Sequence, residues 1–143
     1  AVAPVIPSFS GQETAGRKAT PGGYHSFEHR WAVAEAFEFH QAIGRQRIAA
    51  RIQEQATRLK EGLAGIPSVR LITPKDPNVS AGLVMCSIEG MEFPANAVAT
   101  LREQHKIVAS VTPYAQQYLR FGPSMVTTPD QVDQVVRAVA TLR

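Results

Sequence analysis

The C-terminal block, residues 118–143, constrains the fold more than any other part of the chain, because a strand, a turn and a capped helix follow one another there. The strand carries one arginine, Arg120, between apolar neighbours, and a Gly-Pro pair ends it. Thr128 is suited to cap a helix that begins at Pro129, and Gln131 stands three residues after the cap. The helix then presents one apolar stripe, formed by Val132, Val135, Val136, Val139 and Leu142.

The rest of the chain repeats this alternation of helices and strands. Hydrophobic spacing predicts helices over about 26–43, 45–64 and 94–104, and strands over 69–73, 81–88, 107–111 and 118–121. Phe27, Trp31, Ala34, Phe37 and Ala42 are expected to form the buried side of the first helix. Short loops join consecutive strands, which favours an α+β (α/β sandwich) fold. We expect a small antiparallel or mixed sheet of about four strands, covered on one face by helices, with a long N-terminal helical pair.

Composition narrows the class of function. The chain has 143 residues, is 44% hydrophobic and 19% charged, and carries a net charge of +3 with its cations scattered. We therefore expect a soluble protein without nucleic-acid binding, and no apolar run approaches the ~18 residues that a membrane span needs. The single cysteine, Cys86, lies in an apolar strand, which favours a buried core residue over a nucleophile.

The first 25 residues differ from the remainder, since they are rich in proline and glycine and have no helical or strand periodicity. They are expected to form an extended active-site or interface segment that packs on something outside the chain, with a domain over 26–143. The missing initiator methionine indicates the middle of a longer protein, or a processed end.

Arg120 is the first candidate for chemistry. An arginine between apolar strand residues is costly to bury unless an anion meets it, and its fork grips a carboxylate with two hydrogen bonds. The alternative is a structural arginine that pairs with an acidic neighbour.

These segments together resemble a known family. The C-terminal block, the stretch EFHQAIGRQRIAARIQEQATRLKEGLAGIPSVRLITP, and the strands AGLVMCSIEG and HKIVAS are similar to the C-terminal small domain of class V aminotransferases. Those fold-type-I pyridoxal-phosphate enzymes include cysteine desulfurases and isopenicillin N epimerase-like proteins. The resemblance implies pyridoxal 5'-phosphate as cofactor, an amino-acid substrate, a homodimer and a cytoplasmic location.

The resemblance also assigns residues. Arg120 matches the arginine that binds the substrate carboxylate, and Thr20 matches the threonine that reaches the cofactor phosphate of the neighbouring subunit. The loop that contains Tyr114 is expected to line the substrate pocket, with an ordinary exposed loop as the alternative. His25 flanks the loop of Thr20 and is a candidate for contact with the substrate. His25 and His29 have half of a metal-site spacing, but no third ligand follows, so no metal site is predicted.

The family's cofactor-binding lysine lies in a large upstream domain that has no counterpart here. Lys18, Lys60, Lys75 and Lys106 are expected in loops, at a junction or, for Lys60, on a solvated helix face. We therefore assign no catalytic residue and expect the chain to be an enzyme fragment that is inactive alone. Transamination, epimerisation, desulfuration and lyase chemistry stay open, although the predicted burial of Cys86 argues against desulfuration. The other class of function is a non-catalytic ligand-binding or protein-interaction module of ferredoxin-like build.

Overall fold

The computed structural model describes residues 27–142, and the chain divides into two units, Ala1–Ala42 and Ile43–Arg143. Helix α1, Phe27–Ile43, lies in the first unit apart from its last residue. The predictions for Thr20 and His25, and the predicted boundary between residues 25 and 26, fall outside the described residues.

None of the residues of helix α1 is buried, so the prediction of a buried side was wrong. Trp31 is 72% exposed, and the rings of Phe27, Phe37 and Phe39 are also largely in solvent. Apolar spacing predicts which side of a helix can be buried, but burial also needs a partner surface. Within residues 27–42 there is no second element that could cover this side.

The second unit has the predicted mixture of helices and strands. Its elements are α2 (Arg45–Ala64), β1 (Val69–Leu71), β2 (Val84–Ile88), α3 (Pro94–His105), β3 (Ser110–Val111), β4 (Leu119–Phe121) and α4 (Pro129–Ala140). Within residues 43–142 the four strands form one antiparallel sheet in the order β1-β2-β4-β3. The predicted α+β class is therefore confirmed.

One face of this sheet packs against the helices of the second unit and forms the hydrophobic core with them. The register sets Val84 opposite Phe121 and Cys86 opposite Leu119, and these four side chains are buried. They form a single apolar cluster with residues of all three helices, including Ala56, Leu59, Leu63, Leu101, Val132 and Val139. Because strand side chains alternate between faces, the intervening residues of β2 and β4 point the other way.

Strand β1 ends earlier than predicted, at Leu71, because the chain bulges there. The backbone N–H groups of Ile72 and Thr73 both donate to the Met85 carbonyl, at 2.9 and 3.3 Å. The Thr73 hydroxyl accepts from the Met85 N–H at 2.8 Å, so a side chain replaces the next ladder bond. Ile72 and Thr73 thus both lie opposite Met85, and two residues opposite one is the pattern of a β-bulge.

Helix α4 begins as predicted. The Gln131 N–H donates to the Thr128 hydroxyl at 3.3 Å, and the Thr128 N–H donates to Gln131 Oε1 at 2.9 Å. This capping box satisfies two backbone donors of the first turn. It fixes the start of α4 at Pro129, eight residues after the last residue of β4.

Candidate functional site

Arg120 lies on the face of the sheet opposite the core. Its neighbours Leu119 and Phe121 are buried among the helices, so the arginine projects to the other side, where it is half-buried. On that face its cross-strand partners are Met85 on β2 and Ser110 on β3. Neither of these two partner residues carries a charge.

The guanidinium is tethered at one nitrogen. Arg120 Nε donates to Ser110 Oγ at 2.9 Å. Among residues 27–142 no other hydrogen bond from this side chain is formed, and the ion pairs there are Arg51–Glu54 and Arg58–Asp133. Arg120 thus pairs with no carboxylate in the described part of the chain. That finding does not support the alternative of a structural ion pair.

The loop before β4 is closed by Thr112, which is buried. The Thr112 N–H donates to the Tyr118 carbonyl at 3.0 Å, and the Tyr118 N–H donates to the Thr112 hydroxyl at 2.9 Å. Tyr114 lies within this loop and is 67% exposed. No hydrogen bond joins it to Arg120, so its predicted substrate contact stays a prediction.

Lys60 is buried, and its predicted place on a solvated helix face was wrong. The residue is 1% exposed, and its ammonium donates to the carbonyls of Pro74 and Lys75 at 3.3 and 3.0 Å. It also donates to the Ser80 hydroxyl at 2.9 Å. The loop 74–80 folds over α2 and supplies acceptors for the Lys60 ammonium. The local sequence pattern of the helix does not indicate this contact. The ammonium ties this loop to α2.

The other described lysines lie at the surface. Lys75 is exposed in the loop that Lys60 holds, and Lys106 ends α3 in a left-handed conformation with φ of 58°. Lys106 Nζ donates to the Glu103 carbonyl at 2.9 Å. A lysine that carries a cofactor needs a desolvated or charge-perturbed environment in which its amine is available. Among the three lysines of residues 27–142, two are exposed, and the ammonium of the buried Lys60 already donates to three oxygen atoms.

Cys86 is a core residue, as predicted. It is fully buried on β2, and burial raises the pKa of its thiol to about 11. The thiol is therefore protonated at neutral pH and is a poor nucleophile.

Between residues 27 and 142 no group of three His, Cys, Asp or Glu side chains could hold a metal ion. No helix in the same range has the length and apolar character required to cross a membrane.

Comparison with known proteins gave one curated relative and many similar structures. Isopenicillin N epimerase of Streptomyces clavuligerus is 29% identical over 115 residues, which are 78% of this chain and 28% of that protein. No protein-family model matches the chain. The chain thus spans little more than a quarter of the curated relative.

The similar structures share the fold at low sequence identity. A cysteine desulfurase from Thermococcus onnurineus matches with a TM-score of 0.76 and 18% identity, over 90% of this chain and 34% of that one. The cystine C-S lyase C-DES in complex with cysteine persulfide matches with a TM-score of 0.74 and 19% identity, over 95% and 36%. A variant of that lyase with glycine covalently linked to its pyridoxal-phosphate cofactor matches with a TM-score of 0.75 and 20% identity, over 96% and 36%.

The resemblance that the sequence indicated is therefore confirmed. The curated relative and these similar structures are class V pyridoxal-phosphate enzymes. The chain corresponds to about a third of the length of each similar structure.

Proposed function

We propose that this chain is the C-terminal, substrate-carboxylate-binding domain of a pyridoxal-phosphate-dependent class V aminotransferase-like enzyme that acts on an amino acid. The observation that carries the proposal is the state of Arg120, which is half-buried, tethered at one nitrogen and unpaired with any carboxylate among residues 27–142. In the proposed enzyme the α-carboxylate of the substrate is the missing anion.

The surroundings of Arg120 suit this role. Arg120 is half-buried, and reduced access of water strengthens the attraction of a guanidinium for an anion. Two parallel N–H to oxygen bonds would fix both the position and the plane of a carboxylate. Arg120 lies on a strand whose opposite face is packed into the core, so the backbone that carries the arginine is held rigidly.

The rest of the enzyme would supply the cofactor and the lysine that carries it. Pyridoxal phosphate provides the electron sink for chemistry at the substrate α-carbon. Within this chain we assign the cofactor phosphate to Thr20, across a homodimer interface, and substrate contacts to Tyr114 and His25. These three roles come from the family resemblance. The chain alone, without the large domain, is proposed to be inactive.

Helix α1 supports the presence of a further covering surface. Its exposed large apolar residues are Phe27, Trp31, Val33, Phe37 and Phe39. Exposed apolar side chains grouped on one element mark an interaction surface. The missing large domain and the second subunit are the proposed partners, in a cytoplasmic enzyme.

The buried state of Cys86 bears on the reaction type. A desulfurase mechanism needs a mobile, reactive cysteine, whereas this thiol is buried in the sheet and protonated at neutral pH. Transamination, epimerisation and carbon–sulfur lyase chemistry are the reactions that the proposal retains.

The proposal is tested by measuring amino-acid binding to the complete protein that contains this chain. Arg120→Ala should raise the Kd at least ~30-fold, because the loss of one partner of a charge-assisted pair costs at least about 2 kcal/mol. Arg70→Ala is the matched control, since Arg70 lies on the same face of the sheet but is exposed on β1. An equal and small effect of both substitutions would favour the non-catalytic module instead.

A further inference from the structure

We infer that Ser110 is a positioning residue, which holds Arg120 so that a carboxylate meets the terminal Nη1–Nη2 edge of the guanidinium. This inference deepens the proposed function and rests on it. It assigns a role to a residue that the sequence did not single out, and it specifies the geometry of the substrate contact.

A guanidinium has two edges that can each hold a carboxylate through two parallel hydrogen bonds. The side edge uses Nε and one terminal nitrogen, and the end edge uses both terminal nitrogens. In this protein the Nε–H group already donates a hydrogen bond to Ser110 Oγ, at 2.9 Å. A carboxylate could take the side edge only by displacing the serine, so the end edge is the one that remains.

The sheet explains why serine bonds to Nε and leaves the terminal nitrogens. Ser110 and Arg120 are directly opposite in the antiparallel pair of β3 and β4, which sets their Cβ atoms roughly 5 Å apart. The hydroxyl lies one bond beyond its Cβ, so it stays near the strands. From there it meets Nε, the donor of the guanidinium that is nearest the backbone.

The serine is itself held in place. Strand β3 is only two residues long, but the next residue, Thr112, ties it to β4 through two hydrogen bonds with the Tyr118 backbone. Val111 pairs with Leu119, which is buried in the core. The hydroxyl of Ser110 is therefore anchored to the same rigid hairpin that carries Arg120.

The consequence is preorganisation of a long side chain. A free arginine loses rotamer freedom when it binds a ligand, and that loss weakens binding. The bond to Ser110, with Met85 on the other side of Arg120, limits this freedom before the substrate arrives. Loss of the hydroxyl should therefore weaken carboxylate binding without removing the charge.

The test compares Ser110→Ala, Ser110→Thr and Ser87→Ala in the complete protein. Ser87 is the control, because it lies on the same face of the sheet, on β2, with Arg70 as its partner. Ser110→Ala should raise the Kd for the amino-acid substrate roughly 10-fold, as expected for the loss of one hydrogen bond to a charged group. The corresponding amine without a carboxylate should bind as before, kcat should change less than about 3-fold, and Ser110→Thr should restore most of the affinity.

A second readout follows the tether directly. In ¹⁵N NMR spectra the Arg120 Nε–H signal, assigned through Arg120→Lys, should exchange slowly with water in the wild type and quickly in Ser110→Ala. If Arg120→Ala lowers substrate affinity but Ser110→Ala behaves like Ser87→Ala, the positioning role is overturned and the proposed function stands. If Arg120→Ala itself binds the substrate normally, the proposed function fails and the inference fails with it.

Discussion

Arg58 on α2 and Asp133 on α4 are joined by two parallel hydrogen bonds, from Arg58 Nε to Asp133 Oδ1 and from Arg58 Nη2 to Asp133 Oδ2, each 2.7 Å long. The hydrogen bond from Arg58 is the main cause that lowers the pKa of Asp133; desolvation opposes it, and the charges of Arg58 and Arg137 add to the lowering. The hydrogen bond with Asp133 in turn raises the pKa of Arg58. The pair links the two helices that cover the core.

Asp133→Asn should make stability less sensitive to acid. The folded-state pKa of Asp133 lies below its unfolded value of about 3.9, so the carboxylate stabilises the fold above that pH. The stabilisation is lost as the pH falls through the lower folded pKa. Urea unfolding at pH 7 and pH 3 should show a smaller difference for Asp133→Asn than for the wild type. The exposed Glu61→Gln variant is the control, and an equal difference in Asp133→Asn would contradict the account.

Gly62→Ala should destabilise the second unit, although alanine is the better helix former by about 1 kcal/mol. A Cβ atom at Gly62 would lie 2.5 Å from Val136 Cγ2 and 3.1 Å from its Cγ1, so the stiff Val136 side chain or the two helices would have to shift. Such overpacking costs about 1–3 kcal/mol, which outweighs the gain. Urea midpoints measure the effect, and adding Val136→Ala should reverse it.

Gly65→Ala is the matched control for that experiment. Gly65 has φ of −79°, and the nearest atom to an added Cβ is 3.4 Å away. Its unfolding free energy should stay within about 0.5 kcal/mol of the wild type. A stabilised Gly62→Ala protein would show that the two helices do not pack closely at this point.

Gln55→Leu should stabilise the fold. Gln55 is fully buried on α2, and neither its Nε2 nor its Oε1 has a hydrogen-bond partner among the described residues. A buried polar group without partners costs about 1–3 kcal/mol, and leucine has a similar volume. Thermal or urea unfolding should detect the gain, whereas the exposed Gln46→Leu should change little. A loss of stability in Gln55→Leu would mean that the amide has a stabilising partner.

Lys60→Met should lower the unfolding free energy by about 1–3 kcal/mol, because the carbonyls of Pro74 and Lys75 would lose their donor. Lys75→Met removes an exposed ammonium and serves as the control. In the wild type, amine-reactive reagents should label Lys60 far more slowly than Lys75. Equal labelling of the two lysines would contradict the burial of Lys60.

Local signals explain which parts of the fold the sequence predicted. The capping box of Thr128 and Gln131 and the alternation of β4 act over a few residues, and both are present. The burial of Lys60 depends on a loop 14 to 20 residues further along the chain. The exposure of Trp31 reflects the lack of a second element within residues 27–42. Neither of these causes can be seen in the local hydrophobic pattern of the sequence.

The candidate site shows the same division. Arg120 was identified because a charged residue stands out between apolar strand neighbours. Ser110 was missed because a single serine in a strand gives no local signal of a function, and its role depends on the register between β3 and β4. The alternation of side chains along β3 does not by itself place Ser110 on the same face as Arg120. That placement also requires the register between the two strands.

The most direct test of the central claim compares kcat/KM for the amino-acid substrate and for the matching amine without a carboxylate, in the complete protein and its Arg120 variants. Loss of the charged partner should cost about 2–5 kcal/mol, so Arg120→Ala should lower kcat/KM for the amino acid roughly 30-fold to several thousand-fold. Arg120→Lys should recover little, because a point charge cannot reproduce the fork, and kcat/KM for the amine should hardly change. Near-normal kcat/KM for the amino acid in Arg120→Ala, or unfolding of the domain by that substitution, would contradict the account.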